Sequence, residues 1–486
     1  MERVLPAVAF ASLDAYVTSG GGTGLTAARA VEPDVVIAEV EASGLRGRGG
    51  AGFPTGTKWR TVAAYGSSLL ATTVVVNAAE GEPGTFKDRA ILRANPYAVL
   101  EGALIAAHAV GANEIVFATK ARFVEQLQRV RSAIDELTNA GWTKDVAISI
   151  VEGPAEYLYG EETALLEVID GRPPFPRIAP PYRRGVVELL TDDDIDSESG
   201  LSADVEMATT DDETLAPPVL ADNVETLANV PAIVANGASW FRSVGTTQSP
   251  GTIVVTLTGD VLRPGVGEVA MGSRLRDVIE EVGGGVAPGR SVAGVLGGVS
   301  TAVLTASQLD VTLSYEAMAE AGSALGSASF HVIDSEADVT ALAAGVSRFL
   351  AIESCGQCTP CKQDGLVIAD GLSSLCHGDG TRATLTEIRE RLGTVADGAR
   401  CALGRQHQTV VASLLDAFPG ALESRLAPGA LAIEPVLVAE LTGIDGDTEV
   451  VDETFRDKQP DWTYDADYSG KAPVDRLTDH REQPEA

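Results

Sequence analysis

The chain has 486 residues, a formal net charge of −33 and a hydrophobic content of 45%, which is ordinary for a globular protein. The length predicts two to four domains, and the strong negative charge argues against nucleic acid as a partner. The N-terminus lacks the basic region and long apolar run of a signal peptide, and no apolar run reaches membrane-spanning length, so membrane association is expected only through partners.

The first half of the chain predicts alternating strands and helices. Strands are expected at residues 74–78, 114–119 and 146–151, and helices at about 96–110, 121–140 and 162–169. This order predicts a parallel sheet with helices on its faces. Ligands of such sheets bind beyond the carboxyl ends of the strands, so the polar groups of residues 77–82 and 152–162 should converge on one crevice.

The second half predicts a small α+β module and then a helical region. Strands are expected at 252–258, 292–296 and 330–333, with a short helix at 273–282. Later helices are expected at 339–354, 362–375, 385–392 and 408–418. The predicted domains are 1–245, 250–335 and 337–440, followed by an acidic tail, 441–486, that is extended or docked on a neighbour.

An acidic insertion at residues 187–214 holds eleven Asp or Glu and no Lys or Arg. The alternating acids Asp192, Asp194 and Asp196 have the spacing of a calcium loop, but Ser197 and Ala203 stand where such a loop needs Gly and Glu. The composition is typical of a solvated loop. A sharper hypothesis is that the insertion docks a basic partner or shields a ligand entrance.

Four of the five cysteines form one pattern, Cys355-x2-Cys358-x2-Cys361 followed by Cys401. Three thiolates in a compact turn and a distant fourth are typical of a [4Fe–4S] cluster. A zinc site, which usually has two separated C-x2-C pairs, and free thiols remain as alternatives. Cys376 is predicted to be a buried free thiol. An odd cysteine count with this spacing indicates a reducing, cytoplasmic compartment.

A glycine-rich loop at residues 43–59 is the second strong motif. Its glycines between 44 and 52 let backbone N–H groups approach an anion, and Arg46, Arg48 and Lys58 add positive charge. The loop is neither a Walker A sequence nor a G-x-G-x-x-G motif. Nucleotide binding is the functional interpretation, and a generic glycine-rich turn is the alternative.

Two further segments carry polar groups at the predicted crevice. Residues 77–89 hold several acids, which would repel phosphate and are better suited to other parts of a ligand; surface solvation is the alternative. Residues 157–163 contain Tyr157, which could stack on a planar ring while its neighbours hydrogen-bond the edges of that ring.

These segments together resemble the NADH-binding flavoprotein subunit of respiratory complex I and its relatives, the diaphorase subunits of NAD-linked hydrogenases and formate dehydrogenases. The resemblance covers about residues 13–435. It is carried by the segments 44–59, 77–89, 157–171, 223–230, 353–361 and 401–404.

The resemblance implies FMN, NAD(H) and one [4Fe–4S] cluster as cofactors. It implies a Rossmann-like parallel-sheet FMN/NADH domain, a ubiquitin-like β-grasp domain of the soluble-ligand-binding type and a C-terminal helical bundle that carries the cluster. Glu82 and Tyr157 are the implied catalytic residues. The predicted cofactor-binding residues are Gly47, Arg48, Gly49, Gly50, Ala51, Gly52, Phe53, Lys58, Asn77, Glu80, Glu82, Tyr157, Gly160, Glu161, Glu162, Asn223 and Thr226, and the predicted cluster ligands are Cys355, Cys358, Cys361 and Cys401.

The implied function is transfer of hydride from NADH to FMN and of single electrons to the cluster and a partner. The implied partners are a [2Fe–2S] thioredoxin-like small subunit and further redox subunits, at the cytoplasmic membrane face if partners bring it there. The alternatives are the NAD-side subunit of a soluble formate dehydrogenase or hydrogenase, and a cluster-bearing scaffold without flavin turnover. Ala79, Tyr159 and Asp222 depart from the usual Asp, Cys and Asn of the family.

Overall fold

The structure, a computed structural model, describes residues 2–66, 71–178 and 217–481. The acidic insertion at 187–214 lies outside the described residues, and so do the hypotheses of a solvated loop, of partner docking and of a shielded entrance. Within the described part of the chain, no helix is both long and apolar enough to cross a membrane.

The first domain is built on a four-stranded parallel sheet in the order β3–β2–β1–β4. Its strands are β1 Thr72–Ala78, β2 Ala112–Lys120, β3 Ala147–Gly153 and β4 Val219–Asn223. The three predicted strands and their parallel arrangement are confirmed. Sequence reasoning missed β4, because this strand is short, lies just after the acidic insertion and ends in the polar residues Asp222 and Asn223.

Helices cover the sheet and supply most of the first core. They are α1 Leu13–Thr18, α2 Thr23–Arg29, α3 Pro33–Ser43, α4 Thr55–Ala64, α5 Lys87–Ala94, α6 Pro96–Val110, α7 Val124–Asn139, α8 Glu162–Ile169, α9 Val224–Asn236 and α10 Ala238–Phe241. The predicted helices at 96–110 and 162–169 are confirmed, and the one expected from 121 begins at Val124. The short helices before the first strand were not predicted.

Helix α6 shows why its sequence makes a buried helix. The Asn95 side chain accepts a hydrogen bond from the Ala98 N–H, Pro96 occupies the first turn, and Gly111 ends the helix in the left-handed region. A Cβ at Gly102 would lie 2.0 Å from the Leu227 carbonyl oxygen, so only glycine allows α6 and α9 to pack this closely. This close packing fixes the position of α9 against the sheet.

The second domain is a mixed five-stranded sheet in the order β6–β5–β9–β7–β8. Its strands are β5 Thr252–Gly259, β6 Gly265–Ala270, β7 Val292–Leu296, β8 Leu304–Thr305 and β9 Ser329–Asp334, and its helices are α11 Leu275–Glu281 and α12 Tyr315–Glu320. The predicted strands and the short helix are present. Sequence reasoning missed β6, which alternates with glycine, and β8, which has two residues.

The third region is helical, as predicted. Its helices are α13 Val339–Glu353, α14 Thr359–His377, α15 Arg382–Thr394, α16 Leu403–Ala417 and α17 Pro419–Arg425. Helix α16 begins five residues before the predicted start, because the glycine and polar residues after Cys401 form its first turn rather than a loop. Cys376 is fully buried in this core and is free, as predicted.

The acidic tail differs from its prediction. It forms a hairpin of β10 Leu441–Asp445 and β11 Thr448–Val451 and ends in helix α18 Pro473–Arg481. It packs on its own chain rather than extending: Phe455 is buried against Phe349, and Trp462 lies 5.8 Å from the ring of Phe175. The few apolar side chains of the tail are spaced irregularly, so periodicity could not reveal this packing.

Candidate functional site

The glycine loop is a closed turn that connects α3 to α4. The Thr55 N–H donates to the Leu45 carbonyl at 3.0 Å, and the Gly47 N–H donates to the Phe53 carbonyl at 2.8 Å. Gly52 has φ +64°, and a Cβ there would lie 2.3 Å from the ring of Tyr315. The turn therefore needs glycine at this position both for its backbone and for its contact with the second domain.

Arg48 anchors the loop instead of projecting from it. The residue is 2% exposed, and its guanidinium donates to the carbonyl oxygens of Pro250 and Thr252 and to the Tyr315 hydroxyl. Its backbone N–H donates to the Thr226 hydroxyl at 2.8 Å. The charge predicted to meet a ligand thus joins the first two domains, while Phe53 remains 54% exposed at the tip.

The loop lies against the N-terminus of α9. The Asn223 side chain caps this helix by accepting from the Glu225 N–H, and a Cβ at Gly49 would lie 3.2 Å from the Asn223 Cβ. Backbone N–H groups of a glycine loop beside a helix N-terminus make a favourable environment for an anion. The arrangement fits the phosphate end of a flavin nucleotide.

The carboxylate segment after β1 is buried, so the alternative of surface solvation is wrong for it. Glu80 pairs with Arg89 at 2.8 Å and accepts from the Asp88 N–H, and Lys87 pairs with Asp88 at 2.7 Å and Glu225 at 2.9 Å. These charged residues are at most 8% exposed. The polar atoms of Glu80 are therefore committed to shaping the segment.

Glu82 and Tyr157 meet, as their predicted shared role requires. The Tyr157 hydroxyl donates to the Glu82 carboxylate at 2.7 Å, and the Val299 N–H of the second domain donates to the other carboxylate oxygen at 2.8 Å. Burial raises the pKa of Glu82, and burial together with the Glu82 charge raises the pKa of Tyr157 well above 10. The phenol therefore stays protonated and able to donate.

The strand ends converge as the parallel sheet predicted. The Asn77 side chain donates to the Gly160 carbonyl at 3.0 Å, and a Cβ at Gly160 would lie 2.8 Å from the Ala79 carbonyl oxygen. A Cβ at Gly81 would come within 3.6 Å of the Tyr157 Cα. The segments after β1 and β3 thus form one crevice.

Three other predicted ligands serve the scaffold of this crevice. Glu161 caps α8 by accepting from the Thr163 and Ala164 N–H groups. Lys58 pairs with Glu162 at 2.8 Å and donates to the Ala221 carbonyl. The backbone around these side chains, rather than their charged ends, is what they present to a ligand.

Asp222, at a family position usually held by Asn, accepts a hydrogen bond from the Trp59 indole at 2.7 Å. Its burial raises its pKa to about 6, although the charge of Lys58 and the Trp59 hydrogen bond act in the opposite direction. A carboxyl whose pKa is raised by folding costs stability as the pH rises from its unfolded value, near 4, to its folded value, and that cost persists above it.

Asp222→Asn should therefore stabilise the protein more at pH 8 than at pH 5. The gain relative to the parent protein should be larger at pH 8 by about 1–2 kcal/mol, because Asn can still accept from Trp59 but never ionises. Thermal unfolding of both proteins at the two pH values measures this difference. An equal effect at both values would show that Asp222 titrates alike in the folded and unfolded chain.

The four cysteines of the predicted cluster lie in one neighbourhood at helix ends. Cys355 follows α13, Cys358 caps α14, Cys361 lies in the first turn of α14, and Cys401 precedes α16. Burial raises the pKa of Cys361 to about 11 and that of Cys401 to about 12, and the charges of neighbouring cysteines raise them further. A bound cationic metal would reverse this effect, since it requires thiolates.

Hydrogen-bond donors already point at these sulfurs. The Gln357 amide lies 3.4 Å from the Cys355 Sγ, and the Arg400 N–H lies 3.3 Å from the Cys358 Sγ. Cys376 instead has Asp338, Arg425 and Glu434 as its charged neighbours. Within residues 2–66, 71–178 and 217–481, no group of three or more His, Cys, Asp or Glu is arranged to hold a metal ion. The wider spacing of a cube fits the four sulfurs better than a tetrahedral zinc does.

Several residues that shape the site could not be selected from sequence. Tyr315 and Val299 come from the second domain, and neither belongs to a motif. Gln406 lies 3.4 Å from the Tyr157 hydroxyl and follows the last recognisable motif, 401–404. Only the run Lys87-Asp88-Arg89, three consecutive charges after a buried strand, gave a signal, because such charges are buried only when paired.

Comparison with known proteins identifies three family models in chain order. The model described as the Nuo51 FMN-binding domain matches residues 40–232, the SLBB domain matches 254–303, and the NADH-ubiquinone oxidoreductase-F iron-sulfur binding region matches 341–425. Each match falls within a separate domain of the structure.

Individual proteins are similar over most of the chain. The second of the F subunits of NADH-quinone oxidoreductase in Rhizobium meliloti is 36% identical over 403 residues, which cover 81% of this chain and 89% of the relative. NADP-reducing hydrogenase subunit HndC of Solidesulfovibrio fructosivorans is 34% identical, covering 85% and 81%. A chain of the NAD+-reducing [NiFe]-hydrogenase in its H2-reduced state superposes with a TM-score of 0.72 at 30% identity, covering 87% and 68%.

Proposed function

The chain belongs to the family of the NADH-quinone oxidoreductase F subunits, and from this premise we propose which of its residues carry out NADH oxidation. The chain is an NADH dehydrogenase flavoprotein subunit with an FMN-binding domain and a [4Fe–4S] region. The glycine loop holds the phosphate end of FMN, Glu82 and Tyr157 hold the nicotinamide end of NADH, and Cys355, Cys358, Cys361 and Cys401 ligate the cluster.

The position of the Glu82–Tyr157 pair is the observation that carries this proposal. Glu82 is fixed by the second domain through Val299, and Tyr157 reaches towards Gln406 in the cluster region. The Tyr157 phenol also senses the charge of Cys401, which raises its pKa. The pair therefore stands where the crevice of the parallel sheet meets the cluster, which is the place where hydride transfer has to be coupled to electron exit.

The residues of the crevice bind, orient and exclude water. FMN, when bound, supplies the exchange between the two electrons of a hydride and the single electrons that an iron–sulfur cluster accepts. The protonated Tyr157 phenol and the buried Glu82 carboxylate give the nicotinamide one donor and one acceptor of fixed position. Fixed groups in a buried site orient the substrate without reorganisation when it reacts.

The assignment of the glycine loop is tested by Gly52→Ala. A methyl group there collides with Tyr315 and imposes a left-handed backbone on alanine, so FMN affinity should fall about tenfold or more. Gly141→Ala is the matched control, since Gly141 also has positive φ, +77°, but would meet no atom within 4 Å. Fluorescence titration of flavin-free protein with FMN measures both variants. Equal affinities in the two variants would remove the loop from the flavin site.

The redox partners are a finer proposal. Members of this family form NADH-quinone oxidoreductase and NAD-reducing hydrogenase complexes, so this chain has partner redox subunits. We expect a thioredoxin-like small subunit with a [2Fe–2S] cluster, in the cytoplasm, as the first of them. The five cysteines, all free in the structure, agree with a reducing compartment.

Co-purification of the tagged chain from its own host tests this expectation. The result expected is a stoichiometric small subunit that contains a [2Fe–2S] cluster. Subunits of a hydrogenase in the same fraction would favour the second candidate, the NAD side of a hydrogenase. A chain that purifies alone at physiological salt would contradict the proposed partnership.

A further inference from the structure

The C-terminal extension, residues 436–476, lies beyond the matched iron–sulfur family model, which ends at residue 425. Although acidic, it places two buried charged side chains behind the nucleotide crevice. Glu440 is 5% exposed and Lys458 is 3% exposed. Such burial requires paired partners, and the identity of those partners indicates what the extension does.

Lys458 reaches the tyrosine segment through Glu353. Its ammonium pairs with one Glu353 oxygen at 2.6 Å, and the other oxygen accepts from the Tyr157 N–H at 2.9 Å. Burial lowers the pKa of Lys458, but the charges of Glu353 and Glu156 more than offset this and raise it. The lysine therefore stays charged and keeps the Glu353 carboxylate in place against the Tyr157 backbone.

Glu440 reaches the carboxylate segment through three cations. Its side chain pairs with Lys120 at 2.5 Å and Arg122 at 2.7 Å, and lies 3.8 Å from Arg89. Arg89 in turn holds Glu80, and a Cβ at Gly81 would lie 2.7 Å from the Lys120 Nζ. The extension thus contacts the segment on both sides of Gly81, immediately before Glu82.

Other contacts hold the extension on the helical region. The Trp462 indole donates to the Ile352 carbonyl at 2.8 Å, and the Val474 N–H donates to the Cys355 carbonyl at 3.1 Å. A Cβ at Gly356 would lie 2.3 Å from the Ala472 Cβ. The segment that follows Lys458 is therefore anchored beside the cluster cysteines.

We infer that the C-terminal extension is part of the NADH site of this chain, and that Lys458 is a positioning residue that fixes Tyr157 through Glu353. Glu440 has the corresponding role behind Glu80 and Gly81. The inference rests on the proposed function, because it takes Tyr157 to contact the nicotinamide end of NADH.

The test is steady-state NADH oxidation with ferricyanide as acceptor by the full-length protein carrying FMN and cluster. Lys458→Met should raise the KM for NADH about tenfold, since a displaced Tyr157 misplaces the substrate, while the KM for ferricyanide and the FMN content stay unchanged. Lys458→Arg should restore the KM to within about threefold of the parent value, because it keeps the charge. Arg456→Met is the control, as Arg456 lies in the same segment but its side chain is 58% exposed.

A pair of double variants separates positioning from stability if the single variant does not fold. Lys458→Met with Glu353→Gln leaves no buried charge and keeps an acceptor for the Tyr157 N–H, so its KM should be near normal. Lys458→Met with Glu353→Leu also leaves no buried charge but removes that acceptor, so its KM should rise about tenfold. Equal KM values in the two double variants, or an unchanged KM in a folded Lys458→Met, would overturn the inference.

Failure of the inference is distinguishable from failure of the proposed function. If the parent protein binds FMN and oxidises NADH but the Lys458 variants behave like it, only the role of the extension is wrong. If the parent protein takes up no FMN or does not react with NADH, the proposed function itself fails.

Discussion

Cys401→Ala should abolish the [4Fe–4S] cluster, whereas Cys376→Ala should leave the iron content of the purified protein unchanged. Cys401 shares its electrostatic environment with Cys355 and Cys361, and the Leu403 N–H after it acts on its sulfur. Cys376 lies in the apolar core of the helical region among unrelated charges. A cube that loses one of four protein ligands is open to solvent and oxidation, so the expected effect is near-complete loss.

Iron and acid-labile sulfide per chain measure this result after anaerobic purification. Cys376→Ala is an internal control, because it removes a buried thiol from the same helical region. Loss of iron in Cys376→Ala together with its retention in Cys401→Ala would reverse the ligand assignment. Retention of one zinc per chain in place of iron would support the zinc alternative.

Glu82→Gln should lower kcat/KM for NADH by about a hundredfold while FMN remains bound. One carboxylate oxygen accepts from the Val299 N–H and the other from the Tyr157 hydroxyl. Gln has only one acceptor oxygen, so its NH2 group must face one of these two donors. If that group faces Tyr157, the hydroxyl has to accept, and its proton no longer points at the carboxyl. The prediction thus follows from the geometry of the pair.

A matched control for this variant exists in the same domain. Glu101 is fully buried in α6 and accepts from the Tyr16 hydroxyl at 2.7 Å, the same distance as in the Tyr157–Glu82 pair. It lies away from the strand ends, so Glu101→Gln should lower thermal stability but leave kcat/KM unchanged. Stopped-flow reduction by NADH compares the two. Unchanged NADH kinetics in Glu82→Gln would remove Glu82 from the site.

The parts of the fold that sequence reasoning found are those with a local signal. β1 is a run of β-branched residues, and α6 begins with Asn95-Pro96 and ends at Gly111, so both were found with near-correct bounds. β4 was missed because its residues Ala221, Asp222 and Asn223 resemble a loop. Its strand character comes from pairing with β1 in the interior of the domain, which no local pattern reports.

The candidate site divides in the same way. The meeting of Glu82 and Tyr157 could be predicted, because residues after neighbouring parallel strands meet at one edge. The internal use of Arg48, Lys58 and Glu80 could not, because a charged residue in a motif is read as facing a ligand, whereas these three are held by Thr252, Glu162 and Arg89. Most of these pairings join residues far apart in the chain and depend on tertiary structure alone.

The tail illustrates the limit most clearly. Its composition is that of a solvated segment, yet Lys458 and Glu440 are buried in charge pairs that link it to Glu353 and Lys120. Composition predicts whether a segment can form its own core, not whether it can pack on an existing one. The contact of the tail with the site was therefore accessible only from the structure.

Electron transfer from NADH through FMN to the chain's own cluster is tested most directly by anaerobic addition of NADH to the purified, FMN-loaded protein. We expect loss of the visible flavin absorbance together with the electron paramagnetic resonance signal of one reduced [4Fe–4S] cluster per chain. In Cys401→Ala we expect loss of the flavin absorbance without that signal. A protein that contains the cluster but shows neither change on addition of NADH would contradict this electron path and would be a cluster-bearing scaffold.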